Sequence, residues 1–146
     1  TTRPVLSAMT ETHADKNNIA KAGVMDIMGF NYKVDQYDSL PVNFPHASFV
    51  ASETVSALET RGVYEREPID SVVYMPSGPK QKFAENTNGD WTVSAYDKVA
   101  ADWGTTHENA WRAVKSRSFI AGTFVWTGID YLGEPVPYPY PARSSY

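Results

Sequence analysis

The sequence predicts an α/β chain built from repeated βα units. Three observations carry that reading. Four compact, largely apolar runs lack a helical period: Pro4–Met9, Val24–Phe30, Ser48–Ser52 and Phe119–Trp126. Polar or glycine-containing loop chemistry follows each run, and helix-like patterns stand between them. Runs of this kind suit strands covered on both faces, as in a parallel sheet.

In order along the chain, Pro4–Met9 gives the first strand, and Glu11–Ala22 a short helix with a weak apolar side at Ile19, Ala20 and Ala22. Val24–Phe30 is the second strand, and Asp35–Pro45 a turn-rich connection to the third, Ser48–Ser52. Residues 60–93 hold Pro68, Pro76, Gly78, Pro79 and the turn signal Asn88-Gly89, so they read as a long loop. Two helices are expected next. In Ser94–Trp103 the residues Tyr96, Val99, Ala100 and Trp103 share a face, with Ser94 and Asp97 spaced as a capping box. In Thr106–Ser116 the face is His107, Trp111 and Val114, and Thr105 with Glu108 has the same spacing. Gly104 separates the two, and Phe119–Trp126 supplies the fourth strand.

A complete (β/α)8 barrel takes about 250 residues. A chain of 146 residues with four such strands and no final helix therefore reads as a partial (β/α)8 TIM barrel, roughly its second half. The whole span 1–146 is expected to be that one fragment.

Composition narrows the function. The balance of 13 Lys+Arg against 17 Asp+Glu lacks the basic footprint of a nucleic-acid binder. No apolar stretch approaches the length of a membrane span. With no cysteine, disulfides, zinc–thiolate sites and thiol nucleophiles are excluded. His13, His46 and His107 lie far apart and form no ligand spacing, so no metal site or cofactor is assigned, and metal dependence is left open. The 13% aromatic content suits a carbohydrate surface.

Chemistry is sought at the C-terminal strand ends, the rim where barrel enzymes build their sites. Asn31-Tyr32, Ser52-Glu53, and Trp126 with Asp130 and Glu134 stand there, and Glu53 is the sharpest candidate.

The same residues sit in longer motifs. Gly29-Phe30-Asn31-Tyr32, Ala51-Ser52-Glu53-Thr54, Thr60-Arg61-Gly62-Val63-Tyr64 and Gly122-Thr123-Phe124-Val125-Trp126-Thr127-Gly128-Ile129-Asp130-Tyr131-Leu132-Gly133-Glu134-Pro135 occur in that order. Thr2-Arg3-Pro4-Val5 precedes them and Arg143-Ser144-Ser145-Tyr146 follows. Together they resemble the catalytic barrel of family 2 glycoside hydrolases, of the bacterial β-galactosidase type, over essentially the whole chain.

The resemblance implies barrel strands five to eight and a retaining hydrolysis of terminal β-galactosides. It gives Glu53 the role of nucleophile, with Tyr32 orienting its carboxylate. Trp126 becomes the sugar platform, and Asn31, Asp130 and Glu134 become substrate-binding or loop-fixing residues. The family's acid/base glutamate follows the fourth strand, so its counterpart is expected outside this chain, in a missing N-terminal part of the same enzyme. Glu11, at the end of the first strand, has no support in the family pattern as a substitute. The fragment alone is expected to be inactive and prone to association. The alternatives are a β-glucuronidase or β-mannosidase of the same family, or a noncatalytic carbohydrate-binding module with mostly antiparallel strands. The compartment is left open, with a bacterial periplasmic or extracellular setting preferred over the cytoplasm.

Overall fold

A computed structural model describes residues 2–64, 72–75 and 92–129. The chain divides into two compact units, Thr1–Thr54 with Asn109–Val125, and Val55–Glu108 with Trp126–Tyr146.

The first unit is built on a four-stranded sheet. Its strands are β1 (Leu6–Met9), β2 (Ile27–Asn31), β3 (Phe49–Glu53) and β6 (Ile120–Thr123), in the order β1-β2-β3-β6. Every pairing is parallel. All four expected strands form; β1, β2 and β6 are shorter than their apolar runs, and β3 keeps its length, shifted by one residue. Phe124, just past β6, adds one more bond, its N–H donating to the Ala51 carbonyl at 3.0 Å.

Side chains alternate across a strand, and here the two faces differ. Met9, Phe30, Phe49, Ala51 and Ile120 enter a buried core with Tyr37, Leu40, Phe44 and Val114. The opposite face carries Leu6 and Ala8, both exposed, together with Gly29, Asn31, Val50 and Ser52. Gly29 is required where it stands. A Cβ there would lie 2.7 Å from the Ser7 carbonyl oxygen and 3.0 Å from Ser52 Oγ.

The connections explain two differences from expectation. The helix expected over Glu11–Ala22 is only α1 (Asn18–Lys21). Asn17 caps it, accepting from the Ala20 N–H at 2.9 Å, and Gly23 closes it at φ +64°. Upstream, the buried Asn17 amide donates to the Glu11 carbonyl at 2.7 Å, and Glu11 binds the His13 N–H at 2.9 Å. Such side chain–backbone bonds compete with helix formation. The turn-rich stretch becomes a 3-10 turn, Val34–Ser39, followed by α2 (Leu40–Asn43), and these supply Tyr37 and Leu40 to the core.

The second unit holds β4 (Val73–Met75) and β5 (Val99–Ala101), paired in parallel. The helix expected over Ser94–Trp103 is therefore not formed. Extended neighbours claim its backbone on both sides. Leu58 N–H donates to the Val99 carbonyl at 2.8 Å, Ala101 N–H to Ser56 at 2.9 Å, and Val73 N–H to Lys98 at 2.8 Å. Val99 is buried with Leu58, Met75 and Val93. Where ladder bonds and burial agree, an i, i+3 coincidence of apolar residues does not prevail.

The second expected helix forms as α3 (His107–Lys115). Its buried residues are Ala110 and Val114, while Trp111 is 57% exposed rather than on the covered face. Asp97, expected to cap a helix of its own, caps this one. Its carboxylate accepts from the His107 N–H at 3.1 Å and the Glu108 N–H at 3.0 Å. Thr105, the expected cap, pairs its hydroxyl with that of Tyr74 at 3.3 Å. Within the expected loop 60–93, Val73–Met75 is strand rather than loop because it pairs with β5, and most of the remainder lies outside the described residues. No helix among the described residues is long and apolar enough to cross a membrane.

Candidate active site

The site is assembled where β2 and β3 end. The two strands run in step through Phe30↔Ala51, then the register shifts so that Asn31 pairs with Glu53 rather than with Ser52. Irregularities of this sort re-aim side chains next to functional sites. Directly after the shift the backbone turns left-handed at Tyr32, φ 57°, and again at Lys33, φ 53°. A bulky residue in that region costs on the order of 1–3 kcal/mol unless its surroundings hold it. Here the hold is visible. Tyr32 N–H donates to the Glu53 carbonyl at 2.6 Å, and the Tyr32 hydroxyl donates to the Glu53 carboxylate Oε1. Two bonds thus join the same pair of residues, one through the backbone and one through the side chains.

Beside them Ser52 Oγ donates to Asn31 Oδ1 at 2.8 Å. Asn31, Tyr32, Ser52 and Glu53 are all half-buried, so they are supported from below and open at the rim. Beneath the rim, the buried Tyr37 hydroxyl bonds to the Thr54 hydroxyl at 3.0 Å and ties down the chain just after Glu53.

The structure thus brings Glu53, Tyr32 and Asn31 together, and adds Ser52. Trp126 belongs to the second unit, in a bend beyond β6 with 56% of its surface exposed. The Trp126–Thr127 peptide bond is cis. Asp130 and Glu134 lie outside the described residues. Ser52 was not singled out as a site residue, although its alternation with Phe49 and Ala51 would place it on the face of Gly29. Its bond to Asn31, itself a residue the sequence names, is not legible in the sequence, because the pairing depends on register.

Glu11 does not have the properties of a general acid. Its carboxylate is exposed and accepts from both the backbone N–H and the ring Nδ1 of His13, the latter at 2.8 Å. These bonds hold its carboxyl below the usual carboxylate range, whereas a proton donor needs that value raised.

Among the described residues one group has metal-ligand types in reach: Glu59, Asp97 and His107, with ligand atoms within 4.8 Å of one another. No sequence spacing showed it, since the three come from distant positions. The capping bonds of Asp97 to α3 account for that carboxylate structurally.

No family model matches the chain. It is 41% identical over 145 residues to the β-galactosidase BoGH2A of Bacteroides ovatus, an alignment covering 99% of this chain and 16% of that protein. A crystal structure of a β-glycosidase from Bacteroides vulgatus matches with a TM-score of 0.55 and 19% identity, over 90% of this chain and 22% of that one. This second likeness speaks to the fold alone. The chain thus spans about a sixth of the curated relative it matches (16%), and over nearly its whole length it is homologous to a segment of a glycoside hydrolase of the β-galactosidase type, the family that its motifs resemble.

Proposed function

We propose that this chain is the nucleophile-bearing half, strands five to eight, of the (β/α)8 catalytic barrel of a retaining β-glycosidase acting on terminal β-galactosides. The observation that carries the reading is the Tyr32 hydroxyl bound to the Glu53 carboxylate at the ends of adjacent parallel strands. A nucleophile must present one oxygen to the anomeric carbon, and a donor on the other oxygen fixes which one is presented.

In this reading the free oxygen of Glu53 attacks the anomeric carbon. The glycosidic bond breaks and the leaving oxygen takes a proton from a partner carboxylic acid. A covalent glycosyl-enzyme remains until water, deprotonated by that same partner, displaces Glu53 with net retention. The partner must stand about 5–5.5 Å from the nucleophile, and a preceding part of the parent enzyme supplies it. That part would also cover the open sheet face at Leu6 and Ala8 and the edges of β1 and β6, each paired on one side only among the described residues. The family resemblance assigns Trp126 as a platform for the CH face of the ring, and Asp130 and Glu134 as substrate-binding or loop-fixing residues. The parallel strands weigh against a carbohydrate-binding module, which would be mostly antiparallel.

The test is made in the full-length parent. An aryl 2-fluoro-β-galactoside should inactivate it and label the peptide containing Glu53, whereas labelling at Glu59, Glu65 or Glu67 would remove the assignment. Faster turnover of an aryl β-glucuronide or β-mannoside than of the galactoside would change the substrate and keep the mechanism. Tyr32→Phe should lower kcat by about 10²-fold, the loss of one oriented donor. A change confined to KM would make Tyr32 a sugar contact only. The chain alone, lacking the acid, is expected not to turn over the galactoside.

A further inference from the structure

We infer that Ser52 is a positioning residue for the sugar site, acting through the Asn31 amide, to which its hydroxyl donates at 2.8 Å across the β2–β3 junction. The inference rests on the glycosidase reading and extends it to a residue with no role of its own in that reading.

An asparagine side chain has one acceptor end and one donor end of nearly the same shape. Left free, it rotates between two orientations that offer opposite chemistry to a ligand. In this structure Ser52 holds one of the two, its hydroxyl donating to Oδ1. With Oδ1 engaged by the Ser52 hydroxyl, the Nδ2 amino group is the end left for a ligand. Among the described residues nothing else binds it, so its two donors are available to a hydroxyl oxygen of a bound sugar. Asn31 is directly paired with Glu53 in the ladder, which sets that donor beside the attacking carboxylate.

The backbone shows why Ser52 can do this. Ser52 lies on the open face of β3, where its Oγ is 3.0 Å from the place a Cβ would occupy on Gly29. Glycine at 29 leaves room for the hydroxyl between the two strands. The register shift then moves Asn31 past Ser52 to face Glu53, so the hydroxyl reaches the amide diagonally. Alanine at 52 would keep the strand and lose only the donor.

The test is a double-mutant cycle in the full-length parent, read as kcat/KM on an aryl β-galactoside. Ser52→Ala should lower kcat/KM by roughly tenfold, the scale of one oriented neutral hydrogen bond. Asn31→Ala should lower it at least as far, and the double variant should equal Asn31→Ala alone, because Ser52 has nothing left to orient. Full additivity, or an unchanged Ser52→Ala enzyme, overturns the inference. A purely structural role for Ser52 would also lower the melting temperature and add to Asn31→Ala, so the cycle separates the two.

Asn31→Asp gives a second arm that does not depend on Ser52→Ala folding. The aspartate can still accept from Ser52 but has no amino group to offer the sugar, so activity should fall as in Asn31→Ala. Wild-type activity in Asn31→Asp overturns the inference. The 2-fluoro label keeps the underlying reading distinct. If the wild-type enzyme is labelled elsewhere than Glu53, the nucleophile assignment fails, while the cycle still reports whether Ser52 and Asn31 act as one.

Discussion

The two units hold their strands by different means. In the first, four parallel strands lie on a core dominated by aromatic rings. Phe30 packs on Phe44 with centroids 5.5 Å apart and on Phe49 at 6.4 Å, and Phe119 meets Phe49 edge-on at 6.1 Å. In the second, two three-residue strands share a small cluster of Leu58, Met75, Val93 and Val99. Around it, polar side chains supply the ties. Trp103 Nε1–H donates to Ser56 Oγ at 2.9 Å, the Val93 N–H donates to Thr60 Oγ1 at 3.1 Å, and the Tyr74 and Thr105 hydroxyls meet at 3.3 Å. Thr105, Thr106, Ser94 and Ser56 are all buried there. An aromatic core is sensitive above all to lost volume, and a core with many hydroxyl ties is sensitive to a lost partner as well. The catalytic candidates Tyr32 and Glu53 stand on the first kind of support, as a site that must hold its geometry to a fraction of an ångström requires.

The largest effect should come from emptying the first core. Phe30→Ala is expected to cost about 3–5 kcal/mol and to remove amide-exchange protection throughout β1, β2 and β3. The amides of β5 should keep theirs. Leu58→Ala, at about 2–5 kcal/mol, should do the reverse. If either substitution strips protection from both units alike, they unfold as one and the contrast between them is lost.

A smaller effect sharpens the polar side of the comparison. Ser56→Ala leaves the half-buried Trp103 indole N–H without its acceptor, at about 1–2 kcal/mol, and should shift the Trp103 emission to the red. An equal change at Ser39, whose hydroxyl donates to the Gln36 carbonyl at 2.8 Å in the first unit, should cost less, because packing rather than hydrogen bonding supports that turn. Equal costs at the two serines would break the distinction.

The smallest effect is electrostatic. Arg117 forks onto Asp38, Nε to Oδ1 at 2.8 Å and Nη2 to Oδ2 at 2.7 Å, while its Nη1 donates to the Ala113 carbonyl at 2.9 Å. The bonds from Arg117 hold the Asp38 carboxyl below its ordinary value. Because the folded value is lowered, the stabilisation is complete above the ordinary carboxylate range and is lost as pH falls through the lowered value. Asp38→Asn should therefore lower first-unit stability slightly at neutral pH and leave it unchanged at acid pH, which flattens the acid limb. Tyr37 marks the other limb. Burial pushes its phenol up, against the opposing influences of Thr54 and Arg117. That contribution is present below the ordinary phenol range and fades as pH rises through the raised value. Amide exchange in β3 against pH reads both limbs.

Sequence reading succeeded where one residue's neighbours in the chain are also its environment. The runs at Pro4–Met9, Val24–Phe30, Ser48–Ser52 and Phe119–Trp126 became strands because short apolar segments without a helical period favour extended chain packed on a core. Motif order carried the family and the pairing of Tyr32 with Glu53, since the two end consecutive strands. It failed where the partner is remote. Whether Ser94–Trp103 coils or extends depends on Ser56, Leu58 and Val73, and the helix that Asp97 caps begins ten residues later.

The sequence by itself determined the four strands of the first sheet, named Glu53 and Tyr32 as candidates for nucleophile and donor, and showed which family the motifs resemble. These follow from composition and order, which are local. Only the tertiary structure decided that β2 and β3 slip out of step after Phe30↔Ala51, that Tyr32 turns left-handed onto Glu53, and that Ser52 reaches Asn31. A register shift of one residue leaves no trace in the sequence of either strand. It exists only in the ladder between them, where backbone bonds and side-chain bonds must be satisfied together.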